Sequence, residues 1–413
     1  MYEFLLMIKY ALLQSIGFFI LAIAIIAFIF IILYTVSKKF NLARKIALPI
    51  VILAVGIFLL FFSPQIFPKH LKYPFFLKTF GPADGPELPL KNVYTFFKNI
   101  KNFERVDIAK DPTEVTPPTN RTVPEEVNVE IEAKEVIGEM APGILFNYWT
   151  YNGQVPGPFI RARVGDKINL TLKNHPSSLH HHSIDLHAVN GPGGGATVTM
   201  VEPGQSKTFS FTALNPGLYV YHCAYPNVAT HMAHGMYGLI LIEPEEGLPE
   251  ADKEFYVMQG EFYSAGNLGK KGLQVFDAKK MIDGHPEYIV FNGKTKSLND
   301  KMQVNVGEKV RLYVGNGGVN LISSFHVIGE IFDNVYPEAA IGSEPHRNIQ
   351  TTLVPAGGAS IVEFKVDVPG KYIIVDHALA RLDRGAWGIM TAEGPENKEI
   401  FDGAPDISGN SGH

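Results

Sequence analysis

A chain that repeats its own phrases in order must repeat its fold, and this one does so across most of its length. Val164-Gly165-Asp166-Lys167-Ile168-Asn169-Leu170 returns as Val306-Gly307-Glu308-Lys309-Val310-Arg311-Leu312, 142 residues later. Pro216-Gly217-Leu218-Tyr219-Val220 returns as Pro369-Gly370-Lys371-Tyr372-Ile373, and Val201-Glu202-Pro203-Gly204 as Val354-Pro355-Ala356-Gly357, both 153 residues on. Between the echoes run short alternating segments such as Val127-Asn128-Val129-Glu130-Ile131, punctuated by Gly and Pro. That punctuation is the signature of all-β sandwiches. The expectation is two similar sandwiches in tandem, over 121–247 and 248–400, joined at Gly247-Leu248-Pro249-Glu250-Ala251-Asp252, with a tail at 401–413.

The N-terminal region obeys a different rule. Ala11 to Val36 is uncharged, and as a helix it would span about 39 Å, more than the ~30 Å hydrocarbon core of a bilayer. Ile46 to Phe67 is a second uncharged stretch. Lys38, Lys39, Arg44 and Lys45 crowd the short loop between them, which should therefore stay cytoplasmic. A cleaved signal peptide would have a shorter apolar run and no second one directly after it. The expectation is a retained transmembrane helical hairpin over 1–67 (helices about 11–36 and 46–67), with a tether at 68–120. The chain would sit in a bacterial inner membrane with its body on the periplasmic side. Residues 1–72 hold seven Lys/Arg against Glu3, for +6; the total of −5 leaves −11 on the rest. So acidic a body argues against nucleic acid as a partner.

The chain has one cysteine and 14 histidines. One cysteine excludes an intrachain disulfide framework, a four-cysteine zinc site and an iron–sulfur cluster held by this chain's own thiolates. It permits one metal–thiolate bond. Tyr221-His222-Cys223 is followed by His231 and Met236, and His180-His181-His182 offers a further imidazole. A thiolate, two imidazoles and a weak thioether suit a type 1, blue-copper electron-transfer site. Neighbouring strand residues face opposite ways, so His222 and Cys223 could each serve a different metal.

Several motifs together resemble the cupredoxin-fold copper proteins, and among them the copper-containing nitrite reductases. They are Asn152-Gly153-Gln154-Val155-Pro156-Gly157-Pro158, His182-Ser183-Ile184-Asp185-Leu186-His187, Tyr221-His222-Cys223, Ser324-Phe325-His326-Val327-Ile328 and Val375-Asp376-His377. The resemblance covers about residues 104–400 and implies two cupredoxin-like Greek-key sandwiches. It implies type 1 copper on His182, Cys223, His231 and Met236, with His182 standing five residues before His187 as the family's pair does. It implies type 2 copper on His187, His222 and His377, the last from the neighbouring subunit of a homotrimer. Asp185 and His326 match the family's active-site acid and histidine, and Ile328 the apolar residue that crowds the substrate. The activity implied is the one-electron reduction of nitrite to nitric oxide in denitrification, with the electron passing through Cys223–His222. The donor would be a cytochrome c, a cupredoxin or, given the anchor in the lipid bilayer, a quinol-linked membrane donor.

Two other functions compete. A multicopper oxidase needs paired His-x-His motifs for a trinuclear cluster, and only His180–His182 has that spacing. A membrane-tethered cupredoxin electron carrier would leave His187, His222 and His377 without a role. His234, between His231 and Met236, departs from the family's usual small or amide residue and is expected to be an exposed side chain.

Overall fold

The computed structural model describes residues 103–403, helical positions at 25, 27–29 and 31, and the backbone of a strand pair, β1 (His70–Lys72) with β2 (Asp84–Glu87). Apart from those five helical positions, the expected membrane hairpin lies outside the described residues.

In chain order the next strands are β3 (Arg105–Val106), β4 (Glu126–Ala141), β5 (Ile144–Tyr151), β6 (Ile160–Arg163) and β7 (Lys167–Asn174). They are followed by β8 (Asp185–Leu186), β9 (Ser206–Thr212), β10 (Gly217–His222) and β11 (Tyr237–Glu243). One sheet runs β13-β5-β4-β7-β9, where β13 is Gly272–Gln274 from far downstream; β3 also pairs with β4. The facing sheet runs β6-β11-β10-β8. The odd-numbered residues of β4 turn inward: Val127, Val129, Ile131 and Ala133 meet Trp149, Tyr151, Ile160, Leu170, Cys223, Met236 and Ile240 in one core. Alternation of this kind makes a half-buried strand.

The second part adds β12 (Lys253–Phe262), β14 (Tyr288–Phe291), β15 (Met302–Asn305), β16 (Lys309–Asn316) and β17 (Ser323–Ile328). Then come β18 (Phe332–Tyr336), β19 (His346–Ile349), β20 (Thr351–Val354), β21 (Ala359–Lys365), β22 (Gly370–Asp376) and β23 (Trp387–Glu393). Its sheets run β14-β12-β16-β21-β18-β19 and β15-β23-β22-β17-β20, around a core of Phe255, Val257, Leu312, Val314, Phe325, Val362 and Ile374. A third core joins the two parts: Tyr148, Val155, Leu218, Val220 and Leu239 pack with Tyr256, Met258, Val290, Tyr313 and Ile361.

The echoes of the sequence recur as hydrogen bonds. Asn174 Nδ2 donates to the carbonyls of His180 and Val201 at 2.9 and 3.1 Å. Asn316 Nδ2 donates to those of Leu321 and Val354 at 2.8 and 3.1 Å. Each half also ties its loop with a buried acid from the inward face of a strand. Glu135 accepts from the Leu179 and His180 amides, and Glu261 from those of Asn320 and Leu321.

Residues 103–120, read from the sequence as the end of a tether, lie against the body. Ile108 is wholly buried, the Ile108 carbonyl accepts from Val155 N, and Arg161 Nη1 donates to the Thr116 carbonyl.

Candidate metal centre

Among the described residues, two groups of His, Cys, Asp and Glu bring three ligand atoms within 4.8 Å of one another: His182, Cys223 and His231, and Asp185, His187 and His222.

The first group is dry. Cys223 follows the last residue of β10, and its amide donates to the Met236 carbonyl at 3.1 Å. The Ser183 amide points at Cys223 Sγ from 3.4 Å. His182 is held by reciprocal backbone bonds with Val201. His231 rides on the short helix Val228–Ala233, and the Met236 amide donates back to its carbonyl at 3.3 Å. Gly235 makes that return possible: its φ is +110°, and a Cβ there would stand 2.6 Å from Val155 Cγ2. His231 Nδ1 lies 3.3 Å from both His182 Nδ1 and Cys223 Sγ, and His182 Nδ1 lies 3.9 Å from that sulfur. The Met236 side chain is buried in the same core.

Burial lowers the pKa of His182 and His231, so both imidazoles are neutral at pH 7 with lone pairs free. Burial also pushes the Cys223 thiol up to about 11, against the helpful Ser183 amide. Two buried lone pairs and a sulfur facing one point suit a soft cation, which would displace the thiol proton. The residues fit copper.

Of the three consecutive histidines, His182 faces Cys223. His180 Nδ1 lies 2.9 Å from Glu135 Oε1, and His181 sits edge-on to Tyr225. His234 is buried, not exposed as expected. Its ring stacks on Trp149 at 4.1 Å, and its Nδ1 donates to the Thr230 carbonyl at 2.7 Å. Trp149 has His180 at 4.1 Å and His231 edge-on at 4.7 Å.

The second group sits at the strand edge where β8 pairs with β10, His222 opposite Asp185. His187 Nε2 and His222 Nε2 are 3.1 Å apart with perpendicular rings, and Asp185 Oδ2 is 4.0 Å from His222 Nε2. Burial and the neighbouring His222 lower the pKa of His187, opposed by Asp185 and by the Gly357 backbone from the second half. Two imidazoles aimed at one point also fit copper. Gly194 backs Asp185 closely; a Cβ there would stand 1.8 Å from Asp185 Oδ1. The run Gly193-Gly194-Gly195 was the sequence signal for that approach, and sequence reading passed over it.

His326, Ile328 and His377 lie elsewhere in this chain. His326 and Ile328 share a face of β17, and the His326 ring stands 5.4 Å from that of His377. His326 Nδ1 is 2.5 Å from the Gln350 carbonyl, which only accepts, so Nδ1 donates. His377 joins neither three-atom group.

Sequence reasoning also missed Glu135. Its parity along β4 places it on the core face with Ile131 and Ala133, and that was the available signal.

Residues 139–247 match a family profile described as multicopper oxidase. The copper-containing nitrite reductase of Neisseria gonorrhoeae is 52% identical over 291 residues, 70% of this chain and 74% of that protein. That of Alcaligenes faecalis is 32% identical, covering 67% of this chain and 78% of that protein. The solved copper nitrite reductase from Nitrosomonas europaea superposes with a TM-score of 0.59 at 32% identity, over 66% of this chain and 96% of its own. The fold is mainly β and cupredoxin-like, as expected. The chain belongs to the copper-containing nitrite reductases, oxidoreductases that reduce nitrite with copper.

Proposed function

We propose that each chain holds two coppers and reduces nitrite by NO2− + 2H+ + e− → NO + H2O. The observation that carries the reading is the adjacency of His222 and Cys223, one in each ligand cluster. Copper would supply one-electron redox chemistry at both clusters and a Lewis acid at the second. His182, Cys223, His231 and Met236 would hold type 1 copper; His187, His222 and His377 would hold type 2. The backbone between Cys223 and His222 supplies a covalent electron path of about a dozen bonds. Asp185, beside the second cluster, and His326, oriented by the Gln350 carbonyl, would handle the two protons. Ile328 narrows the space left to the substrate.

His377 would reach His187 and His222 of a neighbouring copy, making the working unit a homotrimer. Within one chain His377 stands by His326 and not in the second cluster, which supports that reading. We also propose the membrane hairpin over 1–67, the periplasmic location of the body and the division into sandwiches at 121–247 and 248–400. The uncharged stretches and their basic loop support the first two. A quinol-linked donor fits a tethered body, as a cytochrome c or cupredoxin fits a diffusing one.

The test is a subunit mixture. His187→Ala and His377→Ala chains should each lack type 2 copper and nitrite-dependent NO release while keeping the type 1 colour. Trimers assembled from both variants should recover part of each. No recovery would sink the shared site. Metal analysis separates the rivals, since four coppers per chain would indicate a multicopper oxidase and one a carrier.

A further inference from the structure

The second half carries other residues at the positions where the first half has its ligand cluster, and the correspondence is readable position by position. In the first half Ser183 N points at Cys223 Sγ (3.4 Å); in the second, Ser324 N donates to Asp376 Oδ1 (3.2 Å). Cys223 N donates to the Met236 carbonyl at 3.1 Å, and Asp376 N to the Ala386 carbonyl at 3.1 Å. Met236 N returns to the His231 carbonyl at 3.3 Å, and Ala386 N to the Arg381 carbonyl at 3.1 Å. His182 bridges Val201, and Ser323 pairs with Val354, the sequence echo of Val201. Ser323, Asp376, Arg381 and Ala386 therefore stand where the first half has His182, Cys223, His231 and Met236.

The replacement is electrostatically complete. Asp376 is wholly buried. Its Oδ1 accepts from the Ser324 and Ala378 amides at 3.2 and 3.1 Å. Its Oδ2 accepts from Gln259 Nε2 at 3.0 Å and from the Arg381 guanidinium. A carboxylate has about four acceptor sites, and all are used. Arg381 Nη1 also donates to the Ile322 carbonyl at 2.7 Å, so the guanidinium ties the loop before β17 to the end of β22. A fixed organic cation holds the second half together where a metal would hold the first.

The next residue after Asp376 is His377, whose amide donates to the Ser324 carbonyl at 2.7 Å. Ser324 thus grips Asp376 with its N–H and His377 with its C=O. We propose that the Arg381–Asp376 pair, which stands where the first half has its ligands His231 and Cys223, is a positioning element for His377 and so for the type 2 copper. The inference rests on His377 being a type 2 ligand, as argued above. The pair acts by fixing the backbone from which the imidazole projects, the role that outer partners play around metal ligands.

The experiment uses the full-length protein in detergent, loaded with copper. Type 2 copper affinity and its electron paramagnetic resonance signature are read per type 1 copper, whose visible band reports an intact first half. Arg381→Met should weaken type 2 copper binding about tenfold or more, within the range seen for outer partners of ligands, and leave the type 1 band unchanged. Arg381→Lys, which keeps a cation, should restore most of the affinity; a purely structural role would show as lower thermal stability with unaltered type 2 affinity. Should Arg381→Met fail to fold because it strands a buried carboxylate, the double variant Asp376→Asn with Arg381→Met removes both charges and should show the same loss. Wild-type affinity in Arg381→Met, or in the double variant where that is the one that folds, would overturn the proposal. His377→Ala is run alongside: if it keeps type 2 copper, the ligand assignment falls, and if it loses it while the Arg381 variants do not, only the positioning role falls.

Discussion

The two halves share a skeleton and differ in what hangs on it. Glu135 and Glu261 clamp matching loops, Asn174 and Asn316 make matching pairs of bonds, and Val189 N and Glu330 N reach matching carbonyls at 2.9 and 3.0 Å. By the same correspondence Asp185 matches His326, and each sits opposite an equivalent residue of the next strand, His222 or Val375. The two groups assigned to proton handling are thus one strand position used twice. Duplicated backbone fixes where chemistry can be mounted; side chains then decide what chemistry it is.

If that division holds, changes at the mounted side chains should alter function with the fold intact, and changes at the shared skeleton should cost both halves alike. Cys223→Ser should abolish the type 1 band and nitrite turnover while type 2 copper, by metal analysis, remains; retention of the band would dissolve the contrast. Asp185→Asn should keep both coppers and lower turnover by about 10²–10⁴-fold, the usual worth of a positioned acid or base. A steady-state assay with a copper count on the same sample decides it. Glu135→Gln and Glu261→Gln should each cost about 1–2 kcal/mol in chemical denaturation, since each weakens a buried carboxylate's bonds to backbone amides. Only Glu135→Gln should shift the type 1 band, because only Glu135 approaches a ligand histidine, at 3.8 Å from His182 Nε2.

The smallest effect concerns pH. Burial first, and Asp367 and Asp333 next, push Glu330 up to about 7 from an ordinary 4.5. The folded carboxyl keeps its proton to higher pH than the unfolded one. Its contribution is therefore full below about pH 4.5 and lost as pH rises through 7. Because the group is partly exposed, solvent screening trims this to roughly 1 kcal/mol. Glu330→Gln should flatten the fall in melting temperature between pH 5 and pH 8, and an unchanged fall would remove Glu330 as its source.

Much of this was legible in advance. Alternation and echoes made the mainly β fold legible, and the spacing around Cys223 pointed to residues that the first cluster brings together, because both are written in short segments. What stayed hidden depends on partners far apart in the chain. Glu135 and Arg381 acquire their roles only when Leu179 and His180, and Ile322, are brought to them. His234 read as exposed because nothing local reveals Trp149 beneath it. The second cluster needed the family resemblance, since His222 comes from a segment apart from Asp185 and His187.

The strand Gly272–Gln274 leaves the half that encodes it and pairs with Ile144–Phe146 of the other. The segment Gly247 to Asp252 therefore cannot serve as a hinge. Opening the molecule there would tear a strand from a sheet and expose the shared core around Tyr148 and Tyr256. A protease cut in that segment should leave two fragments that stay together, and heating should melt both halves in one step. One strand, encoded in the second half and used by the first, sews the two together.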